Sequence, residues 1–203
     1  MAETLQECLI AITRADSITQ ALQTLDLLGT PSPPYSFEVS QDWHRSGAET
    51  FMAVFTLIWG GSEAKYVVKA CAPFTVGISV DKLFRRWLRR RILLRRSGIR
   101  VPRIYGARDS VFVEDFIPSK LRSVDSAAWS HDMKSDLIHI ARTLSTLGFD
   151  AICPFSDLMT DGRHIFMVDF GADLGDPYSL VQPRNYVQLA NDWLMQTGLG
   201  PRS

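Results

Sequence analysis

The chain has 203 residues, 46% of them hydrophobic and 22% charged, and its 22 basic residues balance 22 acidic ones. That is enough chain for one substantial core or two small lobes, and zero net charge gives nucleic acid no overall field to follow. Cys8, Cys71 and Cys153 are odd in number and far apart, the longest apolar runs are strand-sized, and Met1-Ala2-Glu3-Thr4 lacks a basic segment, so neither disulfides, a metal cluster, a membrane span nor a Sec-type signal peptide is expected, and a soluble monomer is the expectation.

In chain order, Leu5, Leu9 and Ile12, then Ile18, Leu22, Leu25 and Leu28, recur at helical spacing. Residues 1–34 therefore read as a helical element that ends in the stiff linker Thr30-Pro31-Ser32-Pro33-Pro34. Strands dominate from Tyr35 to Ala70, with Phe51–Trp59 and Tyr66–Ala70 forming a hairpin around Gly60-Gly61-Ser62-Glu63. Asp81–Ser97 is predicted as a helix that packs Leu83, Phe84, Trp87, Leu88, Ile92 and Leu93 inward. Lys82, Arg85, Arg86, Arg89, Arg90, Arg91, Arg95 and Arg96 are then expected on its outer face, either as a solvated surface or as a docking patch for an acidic partner or an anionic membrane.

Arg103–Ala107 and Val111–Asp115 read as a strand pair around Asp109-Ser110. Val124–Leu147 reads as a helix with Trp129, Met133, Leu137, Ile140, Ala141 and Leu144 on one side, closed by Gly148. Asp161, in Thr160-Asp161-Gly162, reads as a hairpin turn before the apolar strand His164–Val168, and a last helix is expected over Arg184–Gln196. Trp87, Trp129 and Trp193 suit core packing, and the four histidines show no zinc-ligand spacing.

Two features carry chemistry. The strand His164–Val168 runs directly into Asp169-Phe170-Gly171. A carboxylate there can hold a divalent metal against nucleotide phosphates, although an acid, an aromatic residue and a glycine also read as a strand and a turn. Lys69 is a lone cation in the β-type run Tyr66-Val67-Val68-Lys69-Ala70, where it is either a phosphate ligand or an edge lysine with its head in water.

In their order and spacing these elements resemble the protein-kinase-like superfamily over roughly residues 37–180. The resemblance implies an α+β, minimal bilobal protein-kinase-like fold, with a small antiparallel β-sheet N-lobe over about 35–115 and a shortened, mainly helical C-lobe over about 116–203. It further implies that Lys69 binds the phosphates of ATP, that Ser46-Gly47-Ala48 stands for the nucleotide loop, and that Glu114, Asp115 and Phe116 form the hinge that meets adenine. Asp169 becomes a ligand of Mg²⁺. Asp157 falls where a second metal ligand belongs and Asp150 near the place of the proton-accepting aspartate; read without the family, Asp157 is an Asx-turn acid and Asp150 a turn cap.

The departures are specific. The His-Arg-Asp triplet is missing, the nucleotide loop keeps one glycine, and no glutamate occurs between Lys69 and Glu114. The lysine therefore lacks its usual helix partner, and Asp81 or Glu49 is the expected substitute. Brevity and eroded motifs make the chain most similar to the minimal effector kinases that bacteria inject by type III secretion (the HopBF family), which phosphorylate a serine of the host ninety-kilodalton heat-shock chaperone. That likeness implies a serine/threonine protein kinase delivered into the host cytoplasm, with that chaperone as its protein partner. The alternatives are a kinase for a small molecule or a lipopolysaccharide sugar, and a pseudokinase that only binds. The catalytic readings all require Lys69 and Asp169 to meet at one nucleotide.

Overall fold

The computed structural model describes residues 35–46, 49–59, 61–71, 79–108, 111–150, 155, 158–170 and 184–196. The N-terminal helical element expected over residues 1–34 lies outside them, as do Gly47, Ala48 and Asp157. Among the described residues the fold is mixed, with two antiparallel sheets and three α-helices. The chain groups into two compact units, residues 1–86 with 103–116, and 87–102 with 117–203.

The first unit is built on a five-stranded sheet of β1 (Tyr35–Ser46), β2 (Thr50–Trp59), β3 (Ser62–Cys71), β4 (Ile104–Arg108) and β5 (Val111–Asp115), ordered β1-β2-β3-β5-β4. Trp59 pairs with Ser62 across a two-residue loop, and Gly61 supplies the left-handed conformation (φ 78°) that such a tight hairpin demands. The central strands read as continuous apolar runs because both of their faces are covered: Ala53, Val54, Phe55, Val67, Val68, Ala70, Val111, Phe112 and Val113 are all buried. On one face Tyr66 stacks on Phe55 at 5.4 Å and meets Tyr105 edge-on at 5.0 Å. Edge strand β1 carries register shifts on either side of Gln41, bulges of the kind that keep an edge from templating further pairing.

Helix α1 (Val80–Arg96) follows β3. Its buried residues are Leu83, Trp87, Arg90, Arg91 and Leu94, the i, i+4, i+7, i+8, i+11 stripe of one helical face. The expectation that all the arginines face outward fails at Arg90 and Arg91, which fall on that stripe and are buried, whereas Ile92, expected inside, is half exposed. Gly98 (φ 80°) ends the helix in a left-handed cap, with the Ile99 N–H returning to the Leu94 carbonyl.

In the second unit, short strands β6 (Ser119–Lys120), β7 (Leu158–Thr160) and β8 (Ile165–Met167) form a three-stranded sheet. Helix α2 (His131–Leu147) contributes Met133, Leu137, Ile140, Ala141 and Leu144 to the core. It begins at His131 and not near Val124 as expected, because the Ser130 hydroxyl accepts the Met133 N–H as an N-cap and residues 121–128 make two 3₁₀ turns instead. Helix α3 (Tyr186–Gln196) packs on α2 through Tyr186, Ala190 and Leu194, and the buried Tyr186 hydroxyl donates to the Phe149 carbonyl at 2.7 Å. Among the described residues no helix is long and apolar enough to cross a membrane.

Candidate active site

In the first unit, chemistry centres on Lys69. Antiparallel register sets Lys69 opposite Phe112 and Val67 opposite Glu114. Side chains two apart share a face, so Lys69 and Glu114 are diagonal neighbours on one side of the sheet, within reach of two long side chains. Lys69 Nζ lies 2.6 Å from Glu114 Oε1, with side-chain exposures of 12% and 2%. Phe112, opposite Lys69 on the same face, stacks on Phe84 of α1 at 6.3 Å between ring centroids.

Glu49, in the turn before β2, is also buried. Its charge reaches the same neighbourhood. Burial first, then the Glu49 charge, push the Cys71 thiol up to about 12, against a downward pull from Lys69. At neutral pH Cys71 is therefore an un-ionised, inert thiol rather than a nucleophile. Asp81, the other expected partner of Lys69, instead holds Arg85 one turn along the exposed face of α1, at 3.0 Å. Glu114, a residue expected only in the hinge, is a carboxylate partner of Lys69.

The other residues expected in a hinge have contacts of their own. Asp115 accepts the Tyr105 hydroxyl at 2.6 Å and the Arg103 N–H at 2.8 Å, and its own N–H goes to the Arg103 carbonyl at 3.0 Å. Burial and that carboxylate raise the Tyr105 phenol well above its ordinary value. Phe116 lies 5.9 Å from the Lys65 ammonium, measured to the ring centroid. Ser46 ends β1, and its carbonyl accepts the Thr50 hydroxyl at 2.8 Å.

In the second unit, β8 delivers Asp169. The Asp136 carboxylate fixes the start of that strand by accepting the Ile165 N–H at 3.0 Å and contacting His164 Nδ1 at 3.2 Å. The Arg100 carbonyl receives the Met167 N–H. Beyond the strand, Asp169 is exposed while Phe170 is fully buried. Trp87 stacks on the Phe170 ring at 4.8 Å, and Arg90 Nη1 donates to the Phe170 carbonyl at 3.0 Å. A ring stack and a charge-assisted hydrogen bond thus hold the residue next to the acid on both its side chain and its backbone. Sequence reading missed Trp87 and Arg90 as supports of Asp169; the helical spacing 83, 87, 90, 91, 94 is the signal that finds them.

Asp150, two residues beyond the Gly148 helix cap, lies half exposed against the Arg184 guanidinium. Asp161 is the turn acid it was read to be. Burial raises its carboxyl, but N–H bonds from His164 and Arg163 outweigh that and hold it below the usual range. Among the described residues no three His, Cys, Asp or Glu side chains gather as a metal cage. Magnesium bound with a nucleotide needs only one or two carboxylates besides the phosphates, and a single exposed acid at a strand end fits that requirement.

No family model matches the chain, and no curated protein does. Among solved structures it is similar to an ethanolamine kinase from Plasmodium vivax, at 13% identity and a TM-score of 0.36, over 72% of this chain and 39% of that one. The chain thus spans well under half of that protein's length.

Proposed function

We propose that the chain is an ATP-dependent phosphotransferase that places the γ-phosphate on a serine or threonine hydroxyl of a protein. The observation that carries this reading is the ion pair between Lys69 and the buried Glu114. A lysine kept for solubility stands in water at a sheet edge, whereas Lys69 is on the middle strand of five and salt-bridged to an acid that is 2% exposed. Protein kinases hold the α- and β-phosphates with a third-strand lysine that is itself fixed by a glutamate.

In this mechanism Lys69 would donate to the phosphate oxygens and Asp169 would hold Mg²⁺. When bound, the metal neutralises charge on the β- and γ-phosphates. The acceptor oxygen bonds to the γ-phosphorus as the bond to the β-phosphate oxygen breaks, and ADP leaves with that electron pair. Asp150 receives the hydroxyl proton in this assignment, and Asp157 is a second metal ligand. Phosphoryl transfer asks mainly for alignment and charge stabilisation, so a small protein with few catalytic side chains suffices. The choice of a protein acceptor, delivery into a host cytoplasm and the ninety-kilodalton chaperone as first candidate substrate rest on the resemblance to the minimal effector kinases.

The test is incubation with γ-labelled ATP and Mg²⁺ in a eukaryotic lysate, beside Asp169→Ala. Wild type labels protein, and the variant, with an unchanged melting temperature, loses at least about 10²-fold in rate. Undiminished transfer by Asp169→Ala removes that residue from the mechanism. Label appearing only in lipopolysaccharide core sugars or small alcohols overturns the protein acceptor while keeping the phosphotransferase.

A further inference from the structure

We propose that Glu114 is the positioning residue for Lys69, doing from strand β5 the work that kinases usually assign to a helix glutamate. The proposal rests on the phosphotransferase reading and deepens it. The helix after β3 carries no glutamate, and its acid in the first turn, Asp81, is exposed and engaged with Arg85. Glu114 is 2% exposed, and a carboxylate so far out of water is costly to bury unless it is paired. Lys69 Nζ stands 2.6 Å away, on the adjacent strand and the same face.

Where the carboxylate is carried decides how the site behaves. A glutamate on a helix reaches the lysine only when the helix is docked, so movement of the helix can switch the pair. Here β3 and β5 are hydrogen-bonded neighbours, with Tyr66 to Ala70 in register with Asp115 to Val111. Breaking the pair by displacement would require breaking that ladder. The lysine is therefore preset whenever the sheet is folded, with no need for a helix to swing in. A second consequence concerns the hinge assignment: the Glu114 side chain faces Lys69, so Glu114 can meet a nucleotide base only through its backbone.

The experiment compares wild type, Glu114→Gln, Glu114→Asp and the control Glu63→Gln, an exposed residue at the far end of β3. Three quantities are read: labelling of Lys69 by an ATP-derived acyl-phosphate probe located by mass spectrometry, the kcat and ATP KM of transfer, and the melting temperature. Glu114→Gln is expected to lose at least tenfold in both Lys69 labelling and kcat, with a smaller change in KM. Glu114→Asp should recover part of the loss, because it keeps the charge with a shorter reach, and Glu63→Gln should match wild type. Should Glu114→Gln melt below the assay temperature, Glu114→Asp against wild type decides, with a fall in kcat larger than the change in KM supporting the proposal. A Glu114→Gln protein that labels and transfers like wild type overturns the positioning role alone. A wild-type protein whose Lys69 the probe does not label overturns the nucleotide reading, and the positioning role with it.

Discussion

Among the described residues, the ion pairs of Lys69 with Glu114 and of Arg184 with Asp150, one in each unit, have opposite surroundings. Lys69 and Glu114 are 12% and 2% exposed, whereas Arg184 and Asp150 are 48% and 42% exposed. Both ions of the first pair have given up most of their water, so each depends on the other. The second pair stays in a high-dielectric setting, where attraction between charges is small and screened by salt. Burial therefore sets the two pairs apart.

The sharpest way to break this contrast is to remove one member of each pair. Glu114→Ala removes the carboxylate that Lys69 Nζ meets at 2.6 Å, and should cost about 3–5 kcal/mol in urea unfolding. Replacing both partners with apolar residues of similar size, as in K69M/E114L, should return stability to within about 1 kcal/mol of wild type. That double variant should still transfer no phosphate. A double variant as unstable as Glu114→Ala would mean that the site depends on its charges for folding and not only for function.

The second unit supports its candidate metal ligand by packing instead. Trp87 is buried and stacked on Phe170, the neighbour of Asp169. Trp87→Ala should destabilise the protein by about 3 kcal/mol or more, through lost contacts and the cavity left behind. Trp87→Leu should recover part of the stability but not the ring stack. If Asp169 depends on that stack, both variants lower phosphate transfer and the leucine variant stays folded while doing so; equal activity in wild type and Trp87→Leu would reduce Trp87 to a core residue.

The sequence was most readable where a short period and punctuation coincide. The β2–β3 hairpin follows from two apolar β-type runs around Gly60-Gly61, and α1 from apolar spacing ended at Gly98. Strands β6 and β7 went unread because two or three residues show no period. The early start read for α2 mistook Val124 and Trp129 for helix positions; Trp129 is buried, but it packs edge-on against Trp193 from just beyond the second 3₁₀ turn. Local reading also could not find the partner of Lys69. A glutamate 45 positions away (114 − 69) becomes a neighbour only through the β3–β5 register, which no single strand encodes. Arg90 and Arg91 were misplaced because charge was taken as a sign of exposure; their long stems and flat heads are buried against Phe170 and Trp87.

The exposed pair should respond weakly and in a salt-dependent way. Arg184→Ala is expected to cost no more than about 1 kcal/mol at low ionic strength, and nearly nothing at 1 M salt. Glu114→Ala should keep most of its penalty under the same salt, since its partner is screened by protein and not by ions. A strong, salt-insensitive loss on removing Arg184 would show that Asp150 is held as firmly as Glu114.

The smallest effect expected is that of Asp161 in the β7–β8 turn, and its sign is set by pH. The N–H bonds from His164 and Arg163 hold its folded carboxyl below the ordinary range, so the ionised form is the one the fold favours. Its contribution is therefore fully present above the ordinary carboxylate value of about 4, and is lost as pH falls through the lower folded value. Because the side chain is exposed, Asp161→Ala should cost less than about 1 kcal/mol at pH 7. The two proteins should converge in stability as pH falls through that lower folded value and the wild-type acid becomes protonated. A gap of constant size across that range would mean that the turn depends on the shape of the side chain and not on its charge.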